Sequence, residues 1–128
     1  MDIRRIEIPP ITLNWSEWFA WSKFILDARS DPESIRLPNS PGVYVAKLTD
    51  SEERLTIGKA SNLRMRIKQG LVKGKTAHSS GDDIRVKEDK AKILIRWALT
   101  DRPAATEEEL HRRHIEIFGK LPKYTDRT

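Results

Sequence analysis

The chain contains no cysteine, which excludes disulfide frameworks, thiolate zinc sites and cysteine nucleophiles. It also lacks long hydrophobic runs. No stretch reaches the length of a membrane span, and the N-terminus, with Arg4, Arg5, Glu7 and Pro9-Pro10, has no apolar core of signal-peptide length. A soluble, unprocessed, cytoplasmic protein that avoids membranes is the expectation. Internal repeats and long low-complexity segments are absent too. What is present is charge: 24 basic residues against 19 acidic ones give a net charge of +5, an excess that favours a polyanionic partner. At 128 residues the chain is one domain, large enough to bury a core without a structural metal.

Along the chain, residues 1–13 read as an extended arm, anchored by Ile3, Ile6 and Ile8, in which Pro9-Pro10 bars a helix. Asn14 and Glu17 have capping-box spacing and predict a helix from there to about Ala28. Trp18, Trp21, Ile25 and Ala28 form one stripe of that helix, with Trp15 and Phe24 nearby. The stripe either packs the helix onto a sheet or serves as a base-stacking platform. Residues 30–41 are a turn-rich connector. Gly42 to Leu48 and Leu55 to Gly58 predict a hairpin about a polar turn at 49–53, and Ile93 to Leu99 a third strand.

Asn62 to Leu71 reads as a basic helix with Leu63 and Ile67 inward and Arg64 and Lys68 more outward. Residues 72–92 read as a polar, mobile excursion. A last helix runs from Thr106 to Phe118 and stops at Gly119. In it Thr106 and Glu109 are spaced as a capping box, and Glu107 lies on the stripe of Leu110 and Ile117, so its carboxylate emerges beside the core face. His111 and His114 have no third partner for zinc and read as surface or core-edge residues.

The most informative residues are two triplets, Gly42-Val43-Tyr44 and Thr56-Ile57-Gly58, with Arg66 ten residues beyond Thr56. Both triplets lie in apolar, β-branched runs, as in two neighbouring strands whose tyrosine and glycine ends face one concavity. With the run Gly58-Lys59-Ala60-Ser61-Asn62-Leu63-Arg64-Met65-Arg66, they resemble the GIY-YIG nuclease superfamily, and within it the nuclease domain of bacterial excision-repair incision proteins. The resemblance covers about Pro41 to Tyr124.

It implies a small α/β domain: a three-stranded, mainly antiparallel sheet flanked by helices at 41–128. Residues 1–40 add the arm and the Trp-rich helix, packed on that core. It also implies a Mg2+- or Mn2+-dependent endonuclease acting on nucleic acid, most plainly DNA. Carried over by position, Tyr44 activates water, Arg66 contacts the scissile phosphate, and a glutamate of 107–109 holds the metal. Glu107 is the chosen ligand and Glu108 the fallback, since Glu109 is engaged in capping. Gly58 and Lys59 line the site in this reading, and Arg64, Lys68, Lys73 and Lys75 supply further substrate contacts.

The chain departs from the family pattern at Thr56, where a second tyrosine belongs, and at Thr125, where an asparagine often follows Pro-x-Tyr. A threonine hydroxyl orients water but is no base near neutral pH. His78 resembles a histidine of homing-endonuclease relatives and, with an ordinary pKa near ~6.5, either shares in proton transfer or is an exposed loop residue. Tyr44 is either the base or a core tyrosine. Two other functions stay open: a nuclease-like domain that binds nucleic acid without cleaving it, and an interaction or assembly subunit that meets a protein partner or itself through the Trp-rich helix.

Overall fold

Alternating β-branched and aromatic residues become strands where a neighbour can pair with them. The computed structural model describes residues 4–8, 10–26 and 35–125, and its strands are Phe19–Ala20 (β1), Gly42–Leu48 (β2), Arg54–Ala60 (β3) and Ile93–Leu99 (β4). They form one antiparallel sheet in the order β1-β4-β2-β3 within an α/β fold. The hairpin and the strand at 93–99 stand where the sequence predicts them. A bulge beside Ala46 and Lys47 leaves Leu55 as an extra residue of β3.

The sheet has four strands rather than three, and the added one comes from the segment expected to be helical. Residues 11–18 have no regular structure, β1 follows, and a single 3-10 turn occupies Trp21–Phe24; Ala28 lies outside the described residues. The edge of β4 overrides the local cap. Ser16 N–H donates to the Trp97 carbonyl at 2.8 Å, and Ser16 Oγ accepts from Trp97 N–H at 3.0 Å. These bonds continue into the pairs Phe19↔Ile95 and Ala20↔Leu94. A two-residue strand also blunts an edge that would otherwise invite pairing with another chain.

The aromatic segment does cover the sheet, but as extended chain ending in a single 3-10 turn. Trp21 and Phe24 are buried, and Phe19 stacks on Trp97 at 5.5 Å. On the opposite face Trp15 and Trp18 hold the Arg96 guanidinium at 4.5 and 4.4 Å from their ring centroids. Farther back, Ile6 and Ile8 are exposed rather than anchored, and Ile3 lies outside the described residues. Ile35 and Leu37 join Trp21 and Phe24 in the same core as Tyr44, Ile67 and Ile95.

Two helical segments cover the Tyr44 face. Met65–Val72 is a π-helix, closed by the i→i+5 bond from Lys73 N–H to the Lys68 carbonyl at 3.0 Å. Leu63, Ile67 and Leu71 are fully buried at a strict spacing of four, which suits a turn wider than an α-helix provides. That wider turn carries Lys68 inward, contrary to the outward position expected of it. Its Nζ donates to the Leu26 carbonyl at 3.1 Å.

The excursion at 72–92 is structured as well. Ser79–Lys87 (α1) lies within it, and Arg85 donates to the carbonyls of Gly70 and Leu71, closing the end of the π-helix. With Ile84 as its one buried large apolar residue, α1 carries little periodic signal.

Pro103–Phe118 (α2) starts three residues before Thr106, because Pro103 suits the first helical position. The Thr106–Glu109 capping box does not form: Thr106 Oγ1 bonds back to the Arg102 carbonyl, and Glu109 pairs with Arg112 and Arg113. The buried stripe is Thr106, His111 and His114, while Ile117 is 73% exposed, so the expected Leu110–Ile117 docking face is corrected.

The histidines face β3 because its outer edge has main-chain groups to satisfy. His111 Nε2–H donates to the Ile57 carbonyl at 3.1 Å; His114 Nε2 accepts from Arg54 N–H at 3.1 Å, and its Nδ1–H donates to the Lys120 carbonyl. Gly119, with φ 75°, ends the helix in the left-handed conformation. No helix among the described residues is long and apolar enough to cross a membrane. Replacing His114 with alanine removes partners from two main-chain groups, so a loss of about 1–3 kcal/mol is expected in chemical denaturation.

Candidate active site

Tyr44 sits directly opposite Gly58 in the β2–β3 ladder, and the missing side chain at Gly58 shapes the site. A Cβ there would overlap Cζ and Oη of Tyr44, so only glycine lets the phenol cross β3 toward the open sheet edge. The ring is 1% exposed, yet it borders a cleft of about 920 Å3 along that edge. One wall comes from Arg66 and the start of α1, the other from the start of α2 with Glu107 and His111; Thr56, Gly58 and Lys59 form the floor.

His78 is no exposed loop residue: it is 4% exposed and caps α1. Its Nδ1 accepts from Gly81 N–H at 2.9 Å, which places the proton of the neutral ring on Nε2. Nε2 lies 2.6 Å from Tyr44 Oη and therefore donates to it, leaving the phenol's own O–H free to turn elsewhere. The capping role was visible in principle, since Gly81 stands three residues beyond His78. Histidine is not among the preferred capping residues, so the spacing by itself carries little signal.

Burial pushes Tyr44 up to about 12; the nearby Arg66 guanidinium opposes the shift, and the charge of Glu107 adds to it. Burial also takes His78 down to about 4, assisted by the charges of Arg66 and Arg85. Both side chains are therefore neutral near pH 7. Arg66 is steadied by donating Nη1–H to the Ala77 carbonyl at 2.9 Å. The starts of α1 and α2 both line the cleft, so two positive helix ends join Arg66 and Lys59 in favouring an anion.

Of the sequence-predicted residues, Tyr44, Gly58, Lys59, Arg66, His78 and Glu107 meet at this cleft. Arg64, Lys73 and Lys75 do not line it, and Lys68 is buried with its Nζ on the Leu26 carbonyl. Glu108 is exposed and lies off the cleft wall, which removes it as a fallback ligand. His111 was missed as a lining residue; its position four after Glu107, on the same helix face, was the available signal.

Among the described residues no group of three or more His, Asp or Glu gathers as a metal cage. Glu107 is the one carboxylate on the cleft wall, accompanied by hydroxyl oxygens of Thr56, Ser80 and Thr125. One carboxylate among oxygen donors fits Mg2+ or Mn2+, hard ions that keep several waters.

No protein-family model, curated protein or solved structure matches this chain. The geometry of the cleft carries the functional reading.

A folded-state pKa of about 4 for His78, against ~6.5 in the unfolded chain, means that the unfolded state binds a proton the folded state refuses. Stability should be complete above pH ~6.5 and fall by roughly 3 kcal/mol as the pH drops toward 4. The variant His78→Asn keeps a capping oxygen and removes the titration. Urea denaturation between pH 4 and 7 should therefore show a shallower slope for it than for the parent.

Proposed function

We propose that the protein is a metal-dependent endonuclease that hydrolyses phosphodiester bonds, with DNA as the substrate class. The observation carrying this reading is the gathering of Tyr44, Arg66, His78 and Glu107, far apart in the chain, around one cationic cleft. It is the set that the resemblance to GIY-YIG nucleases implies.

Phosphodiester hydrolysis needs an oriented water, a proton acceptor and positive charge at the phosphate. Arg66 presents a planar, permanently charged fork to the phosphate oxygens, and Lys59 adds charge at the rim. Mg2+ or Mn2+ held by Glu107 would supply further positive charge to the phosphate and the leaving oxygen. Tyr44 takes a proton from water in its phenolate form. His78 acts through Tyr44: its Nε2–H bonds the phenolate oxygen, and Arg66 favours the same charge. Both ring nitrogens of His78 are committed, so in this reading it is not itself the base, and no rate titration near neutral pH belongs to it.

The expected outcome for Arg66→Ala is loss of cleavage of labelled DNA in Mg2+ or Mn2+, with the circular dichroism spectrum retained. Glu107→Gln should abolish metal-dependent cleavage, whereas Glu108→Gln and Glu109→Gln should cleave within about threefold of the parent. Near-parental cleavage by folded Arg66→Ala would remove the phosphate-binding assignment.

A phenol at about 12 is ionised in a small fraction that grows about tenfold per pH unit. Single-turnover rates should accordingly rise with pH from 6 to 8, and a flat profile would take the base role from Tyr44. The same elevation favours one second reading, a nucleic-acid-binding domain with no cleavage. That reading predicts DNA binding weakened by Arg66→Ala and no product with any divalent ion.

A further inference from the structure

Thr56 stands where the resembled family carries its second tyrosine, and its side chain lines the cleft beside Tyr44. The side chain shares the Tyr44 face of the sheet: Thr56 pairs with Ala46, and Gly58, two residues on, pairs with Tyr44. Tyr44 and Thr56 are thus diagonal cross-strand neighbours, within reach of one another for a long side chain. Thr56 is 3% exposed, lines the cleft, and has no side-chain hydrogen bond among the described residues. Thr106 and Thr125 behave differently, each donating to a main-chain carbonyl. The one fully buried side-chain polar atom without a partner among the described residues is Arg96 Nε, so Thr56 Oγ1 is not sealed in but opens onto the cleft, where water or a ligand can meet it.

We propose that Thr56 seats the attacking water against Tyr44, a role that rests on the hydrolytic reading above. Tyr44 Oη already receives the His78 N–H, so a water reaching it must come from the cleft side, where the Thr56 hydroxyl waits. The water donates one O–H to the Tyr44 phenolate and the other to Thr56 Oγ1, which keeps its lone pairs directed at the phosphate.

The oxygen then forms the new P–O bond, and the bond to the leaving sugar oxygen breaks with its electron pair. Tyr44 takes the water's proton and returns one through solvent to that alkoxide. Threonine also leaves open the volume a second phenol would fill, so water has room beside the base. A base and an acceptor together orient the nucleophile better than a base alone.

The test uses Thr56→Val, which keeps shape and removes the hydroxyl, beside Thr56→Ser, which keeps the hydroxyl. Because the hydroxyl has no protein partner, Thr56→Val should melt at or above the parental temperature. Its single-turnover rate on DNA should fall at least tenfold with KM unchanged, and Thr56→Ser should recover most of the rate. A crystal structure of the metal-free parent should hold a water within hydrogen-bond distance of both Thr56 Oγ1 and Tyr44 Oη, absent from Thr56→Val.

A parent that cleaves and a Thr56→Val protein that matches it overturns this role alone. A Thr56 hydroxyl found bonded to main chain, with no such water, does the same. A parent that cleaves nothing with any divalent ion overturns the hydrolytic reading, and this role with it.

Discussion

The close approach of Tyr44 to Gly58 constrains everything around the cleft. A ring as large as tyrosine in a central strand is normally enclosed by the side chain opposite it. Here the opposite residue has none, so the phenol passes over the backbone of β3 and delivers its oxygen to the sheet edge. The oxygen then needs a partner, and His78, held as the cap of α1, supplies the N–H. Arg66 and the π-helix pack on the same face. The polar apparatus of the cleft is thus assembled around one vacancy in a ladder.

The other wall depends on how an edge strand is closed. The outer edge of β3 bonds to His114 at Arg54, to Tyr124 at Leu55 and to His111 at Ile57, and the cleft runs along β3 from Thr56 onward. These bonds lay α2 along the sheet and bring Glu107, one turn before His111, to the opening. Imidazoles serve here as hydrogen-bond partners of the main chain. The histidine pair that sequence reads as surface or core-edge residues is therefore what places the acid.

The parts of the fold legible in the sequence are those whose partners are close in the chain. The hairpin at 42–60 and the strand at 93–99 follow from alternation, and the stop of α2 at Gly119 follows from a left-handed residue just past an apolar period. The segment at 14–24 misleads because its local cap signal competes with main-chain pairing to Trp97, some eighty residues away. Lys68 misleads because a period of 3.6 points it outward, whereas five-residue bonding widens the turn and carries it inward. Helix α1 goes unread because it is held by His78 and Arg85 contacts to other elements.

By itself the sequence determines the identity and spacing of Gly42-Val43-Tyr44, Thr56-Ile57-Gly58 and Arg66, the lack of thiol chemistry, and a basic surface. These are local properties of composition and short-range order. Which cations face the cleft, which glutamate joins them and which ring nitrogen meets Tyr44 were decided by tertiary structure alone. Those outcomes turn on burial and on the pairing of edge backbone groups, which depend on residues far apart in the chain. Thr56 shows the division plainly: the sequence names a threonine, and only the packed sheet turns it to the Tyr44 face with its hydroxyl opening onto a cleft.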